Sequence, residues 1–165
     1  MHHALGCSRA QAFDVAQGCA TMLTGLQVAH GLMALDHTYR TALLAGGDTW
    51  GAFTQHHNAD SVFFGDAGGA VVVQTAYPQL QPISYHTITR GDYYGLWMIE
   101  AGGARRPASA DAVAEGAHMY RCHDPLTAHG PFKDEYVPIL VRAARAALLK
   151  AGVSSDRIAF LSMVN

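Results

Sequence analysis

The 165 residues carry 11 Lys and Arg against 13 Asp and Glu, a formal charge of −2, so no basic stripe is available for nucleic acid. Half of them are hydrophobic and only 15% charged, which is a globular composition and excludes a disordered chain. The three cysteines, Cys7, Cys19 and Cys122, fit neither a disulfide framework nor a zinc spacing, and the default compartment is a reducing cytoplasm.

The opening Met-His-His-Ala-Leu-Gly lacks the charged leader and apolar run of a secretory signal. Residues 12–16, Ala-Phe-Asp-Val-Ala, predict a short strand closed by Gln17-Gly18. A helix pattern then starts at Cys19. Cys19, Met22, Leu23, Leu26, Ala29 and Met33 recur at three- and four-residue steps and mark one apolar face. The other side, with Ala20, Val28, Leu32 and Leu35, is hardly more polar, so the helix is expected to be buried between layers. Gln17, Gln27, His30 and three glycines make the uncharged stretch 15–35 too polar for a membrane span.

Residues 41–45 read as a strand running into a Gly46-Gly47-Asp48 loop signal. A polar loop follows over 49–60, with Thr54, Gln55, His56, His57 and Asn58. Val71-Val72-Val73 predicts a buried strand, and the glycines before it imply that another backbone approaches closely. Residues 77–131 have a weak pattern, with a strand expected over 83–89. A second helix is expected over 132–151, with Pro138 opening its main part or kinking it and Gly152 stopping it, before a final strand over 158–164. The alternation indicates an α/β fold.

Cys19 lies between a turn and the first turn of a helix, where unpaired N–H groups and the helix dipole stabilise negative charge and favour the nucleophilic thiolate. A free cysteine is more often simply a small buried apolar residue, so position alone does not make it a nucleophile. Three segments add to position. Residues 12–20, Ala-Phe-Asp-Val-Ala-Gln-Gly-Cys-Ala, resemble the active-site strand and turn of ketosynthase III, the 3-oxoacyl-acyl-carrier-protein synthase III group of the thiolase superfamily. Residues 42–48 resemble that family's next strand, and 63–72 its glycine-rich segment and following strand, in the family's order.

The resemblance implies a partial thiolase-like layered fold, with mixed sheets packed on a buried central helix. Residues 1–76 would form the second part of the N-terminal half and carry the nucleophile helix. Residues 77–165 would form the first part of the C-terminal half. It implies acyl transfer from a thioester to Cys19, whose backbone N–H joins an oxyanion hole, then decarboxylative condensation with a malonyl thioester. Acyl-carrier-protein or coenzyme A thioesters are the implied substrates, with no bound cofactor or metal. Family members use a histidine and an asparagine besides the cysteine, and Asn165 stands at or beside the histidine's place. A segment before residue 12 and the family's asparagine beyond 165 are not in the sequence, so the chain is expected to be a fragment or one piece of a split protein, inactive in condensation alone. The strand before Cys19 forms the family's dimer edge, which implies a homodimer or a complementary chain. Two further readings stay open: transfer of the acyl group to a hydroxyl or amine, and a non-catalytic ketosynthase-like partner subunit.

Other residues read more simply. His118, His123 and His129 match no common zinc spacing and read as loop histidines, as do His56 and His57. Asp66 is expected to stabilise a turn beside Gly65 and Gly68. Trp50, Tyr93, Tyr94 and Trp97 are candidates to line an acyl pocket, with packing the commoner role. Arg105, Arg106 and Lys133 are candidates to meet an acidic carrier protein, with solvated surface the commoner role.

Overall fold

In a computed structural model, residues 1–55, 64–76, 84–123 and 131–162 are described, the side chains of 131–133 excepted. The elements run α1 (Thr21–Leu35), β1 (Thr41–Thr49), β2 (Asp66–Gln74), β3 (Trp97–Met98), α2 (Ala110–Ala114), β4 (Arg121–Cys122) and α3 (Pro131–Ala151). Two compact units divide the chain. One comprises Met1–Gly46, Gly69–Leu80 and Ser162–Asn165, the other Gly47–Gly68 and Gln81–Leu161. These units follow packing, whereas the 1–76 and 77–165 halves follow the resemblance.

In the first unit α1 lies against β1 through two reciprocal size matches. A Cβ added at Gly25 would sit 2.7 Å from Leu44 Cδ2, and one added at Gly46 would sit 3.6 Å from Met22 Sδ. Each glycine therefore receives the large side chain of the other element. Met22, Gly25, Ala29 and Met33 form one stripe at helical spacing, and its lower half, Ala29 and Met33, is buried. The rest of α1 is less covered than its composition predicts: Leu23 is 63% and Leu35 85% exposed. The expected all-round burial is not met among the described residues, because β1 covers one stripe only. By length and composition alone Gly18–Leu35 would also cross a membrane, a test that the core helix of a layered fold passes equally.

β1 and β2 form a two-stranded sheet. At one end Thr75 N donates to Arg40 O and Gln74 Nε2 to Thr41 Oγ1; at the other Gly47 meets Ala67 and Gly68, so the strands run in opposite directions. Gly46 and Gly47 do not end β1, which continues to Thr49. The close approach explains the glycine: a Cβ at Gly47 would lie 3.2 Å from Ala67 O. The crowded glycine is thus Gly47 rather than those expected before Val71, since Gly65 and Gly69 have open space where a Cβ would stand. The valine run is a strand but is not buried, since Val71 and Val72 stand exposed. Residues 12–16 are not a strand; among the described residues no ladder pairs with them. Residues 84–89 and 158–162 are likewise outside any strand. The predicted residues 56–58, 62–63, 77–83, 163–165 and His129 lie outside the described residues.

The second unit centres on small side chains. Ala101, Ala112 and Ala117 are almost fully buried together, joined by Ala101 N donating to Ala117 O and Ala117 N to Ala112 O, both 2.9 Å. Ser109 caps α2, its Oγ accepting from Ala112 N at 3.1 Å. β3 and β4 pair antiparallel, with Trp97 opposite Cys122 and Met98 opposite Arg121. In α3, Pro138 sits inside the helix, where it removes the bond to the carbonyl four residues back. Gly152, at φ +66°, closes α3 as expected, with Gly152 N donating to Leu149 O and Val153 N to Leu148 O.

Candidate active site

Cys19 lies at the head of α1. Gln17 leaves helical geometry at φ −147°, ψ 39°, and Gly18 takes φ +52°, a value that favours glycine. A single 3-10 turn, Gly18–Ala20, then leads into the α-helix at Thr21, so the α-helix starts two residues later than the apolar pattern alone implies. Ala20 N donates to Gln17 O at 3.1 Å. Thr21 Oγ1 accepts from Gln17 N at 2.9 Å and donates to Gly18 O at 2.7 Å, while Thr24 Oγ1 donates to Gln17 Oε1.

The cysteine held there is exposed. The first turn of α1 carries no acidic residue, so no carboxylate opposes a thiolate from that turn. Cys19 is a free thiol, outside any disulfide. Asn165, the other expected site residue, lies outside the described residues.

Two of the four aromatics read as pocket candidates, Trp50 and Tyr93, have packing partners. Trp50 packs against Phe64 and Tyr120, with ring centroids 5.0 and 4.8 Å away, and Phe64 and Tyr120 are themselves 5.0 Å apart. Tyr93 lies beneath the Arg90 guanidinium, and Tyr94 is 73% exposed. Neither Phe64 nor Tyr120 was singled out from sequence; their signal is aromatic character alone, which does not specify partners 14 and 70 residues from Trp50. Asp66 reaches further than a local turn. Its Oδ1 accepts from Gly51 N at 2.7 Å, tying the start of β2 to the turn carrying Trp50.

An open pocket of about 440 Å³ in the second unit is lined by Tyr94, Met98, Glu100, Arg105, Arg106 and His123, and does not include Cys19. Arg106 is engaged there by both Glu100 and Glu115, which hold its guanidinium above the usual range, Glu115 most strongly. His123 Nε2 lies 3.2 Å from Glu100 Oε1. Of the residues read as candidates to meet an acidic carrier, Arg106 is thus shared between carboxylates, and the Lys133 side chain lies outside the described residues. Among the described residues no group of three or more metal-ligating side chains occurs.

The described chain is α/β, with an exposed thiol at the head of an apolar helix that meets a strand. The profile of the 3-oxoacyl-[acyl-carrier-protein (ACP)] synthase III family matches residues 13–91. The chain is 31% identical over 160 residues to a β-ketoacyl-[acyl-carrier-protein] synthase III from Chlamydia caviae, covering 95% of this chain and 46% of that protein. A protein of the same description from Roseiflexus castenholzii is 30% identical over 158 residues, with the same coverage. A crystal structure of a 3-oxoacyl-(acyl-carrier-protein) synthase III superposes with a TM-score of 0.77 at 26% identity, covering 94% of this chain and 48% of the other. The corresponding Pseudomonas aeruginosa structure gives a TM-score of 0.73 at 21% identity, over 95% and 45%, and supports the fold. Over residues 13–91 the chain matches the ketosynthase III family, and its fold is that of these thiolase-like enzymes. It spans about half the length of the curated relatives it matches.

Proposed function

We propose that this protein takes an acyl group from a coenzyme A or acyl-carrier-protein thioester onto Cys19 and supports decarboxylative condensation with a malonyl thioester, in fatty-acid or polyketide starter chemistry. The observation that carries the reading is the exposed thiol at the head of α1, within the matched family segment. The Cys19 sulfur attacks the thioester carbonyl, and its backbone N–H is a donor for the tetrahedral oxyanion. The carrier thiolate then leaves and an acyl-Cys19 thioester remains. One thioester replaces another, so this step needs no outside energy source. Asn165, at or beside the place the resemblance gives the histidine, is assigned to the later condensation step as a hydrogen-bonding side chain. A homodimer, or a complementary chain, and a cytoplasmic setting complete it.

The acyl-accepting step is tested by intact-mass spectrometry after incubation with an acyl-coenzyme A. A mass increase of one acyl group, mapped to Cys19 and absent from Cys19→Ala, is expected; no adduct on Cys19 refutes the reading. Transfer of the acyl group to a hydroxyl or amine is the alternative outcome of the next step. Supplying the acyl-protein with a malonyl thioester or with an alcohol, and identifying the product, separates the two.

A further inference from the structure

We propose that Thr21 and Thr24 are positioning residues for Cys19: their hydroxyls clamp the Gln17-Gly18 turn onto α1 and fix the direction in which the thiol is presented. This rests on the reading of Cys19 as the acyl acceptor. Two backbone bonds close the turn, Ala20 N to Gln17 O and Thr21 N to Gly18 O, and Gly18 is the residue least able to restrain its own conformation.

Thr21 uses both capacities of one hydroxyl on that turn, accepting from Gln17 N and donating to Gly18 O. Thr24, three residues on and so on the same helix face, donates to the side-chain oxygen of the same Gln17. Three hydrogen bonds therefore converge on the two residues that precede Cys19, and none of them involves the cysteine itself. An ordinary helix threonine turns its hydroxyl back to a carbonyl of the preceding turn and does no more. Here the second partner of Thr21 and the aim of Thr24 at Gln17 go beyond that pattern. The bonds are exposed, so water competes for them and they add little to global stability. Their effect is on geometry at the thiol. The size matches of Gly25 with Leu44 and Met22 with Gly46 hold α1 on β1, and the threonines carry that placement to the nucleophile.

The experiment uses the full-length protein with Thr21→Val, which keeps the shape and removes the hydroxyl, and Thr21→Ser, which restores it. The readouts are the acylation rate of Cys19 from acyl-coenzyme A and its alkylation rate with iodoacetamide. Thr21→Val is expected to slow acylation about fivefold and to change the alkylation rate, the size expected from one hydrogen bond. Melting temperature should move little, and Thr21→Ser should return both rates to the parent value. Thr24→Val, which leaves the Thr21 bonds intact, should have a smaller effect in the same direction. Unchanged rates in Thr21→Val, or a loss that Thr21→Ser fails to recover, would overturn the clamp. Alkylation reads thiol presentation without thioester chemistry. If the parent never takes an acyl group the functional reading falls, and the alkylation comparison still decides the clamp.

Discussion

The α1–β1 pair and the segment 91–123 are held together by different means. The first is a packing joint, in which two glycines admit Leu44 and Met22 and a helical stripe settles on a strand. The second is built from three buried alanines, a two-residue ribbon, and arginines shared between carboxylates: Arg106 with Glu100 and Glu115, and Arg90 with Asp92 and with Glu135 of α3. A packing joint follows from local period and side-chain size. Charge pairs depend instead on side-chain reach across turns, as for Arg106 with Glu100 and Glu115, and on tertiary placement, as for Arg90 with Glu135 45 residues away. The difference also bears on function, since the thiol is mounted on the packing joint.

Substitutions can break or sharpen this contrast. The largest effect is expected from Cys19→Ala, with complete loss of the acyl adduct by intact mass and no change in far-UV circular dichroism. Next, Ala112→Leu overfills the alanine cluster of the second unit and should lower stability by about 1–3 kcal/mol, read by thermal denaturation. The packing joint is tested by Gly25→Ala. Inside a helix this exchange normally stabilises by roughly 0.5–1 kcal/mol. Here the new Cβ would lie 2.7 Å from Leu44 Cδ2, the end of a half-buried side chain that must shift, so the usual gain is expected to be lost. Adding Leu44→Ala removes the clash, and Gly25→Ala should then be neutral or stabilising relative to Leu44→Ala alone, a coupling read from a double-mutant cycle.

The smallest effect is electrostatic. Hydrogen bonds from Arg90 hold the Asp92 carboxyl below its ordinary value of 3.8. A depressed folded value means that the stabilisation is fully present above about pH 4 and fades as pH falls through the folded value. Both partners are partly exposed, with side chains 34% and 60% accessible, so the acid-side drop should be slight. It should disappear in Asp92→Asn, as measured by melting temperature against pH.

Much of the architecture was legible in sequence because it repeats locally. The three- and four-residue steps from Cys19 to Met33 locate α1, the pattern before Gly152 locates α3, and the runs after residues 40 and 65 locate β1 and β2. The exposed thiol ahead of a helix was legible for the same reason. What went astray was environment. The strand expected at 12–16 needs a neighbour to pair with, and Val71 and Val72 need a covering layer; neither is supplied among the described residues. β-propensity reports fitness for a half-buried pleated surface and cannot provide the surface.

Period alone, then, determined that this is an α/β chain with Cys19 ahead of its first long helix, and the likeness to ketosynthase III came from three segments in order. Only the tertiary structure decided that Gly46 and Gly47 continue a strand, that Asp66 reaches Gly51, that Trp50 meets Phe64 and Tyr120, and that Arg90 meets Glu135 45 residues away. Helical and strand periods are set by neighbours within four residues. A hydrogen bond or ring contact across tens of residues depends on where the folded backbone carries both partners.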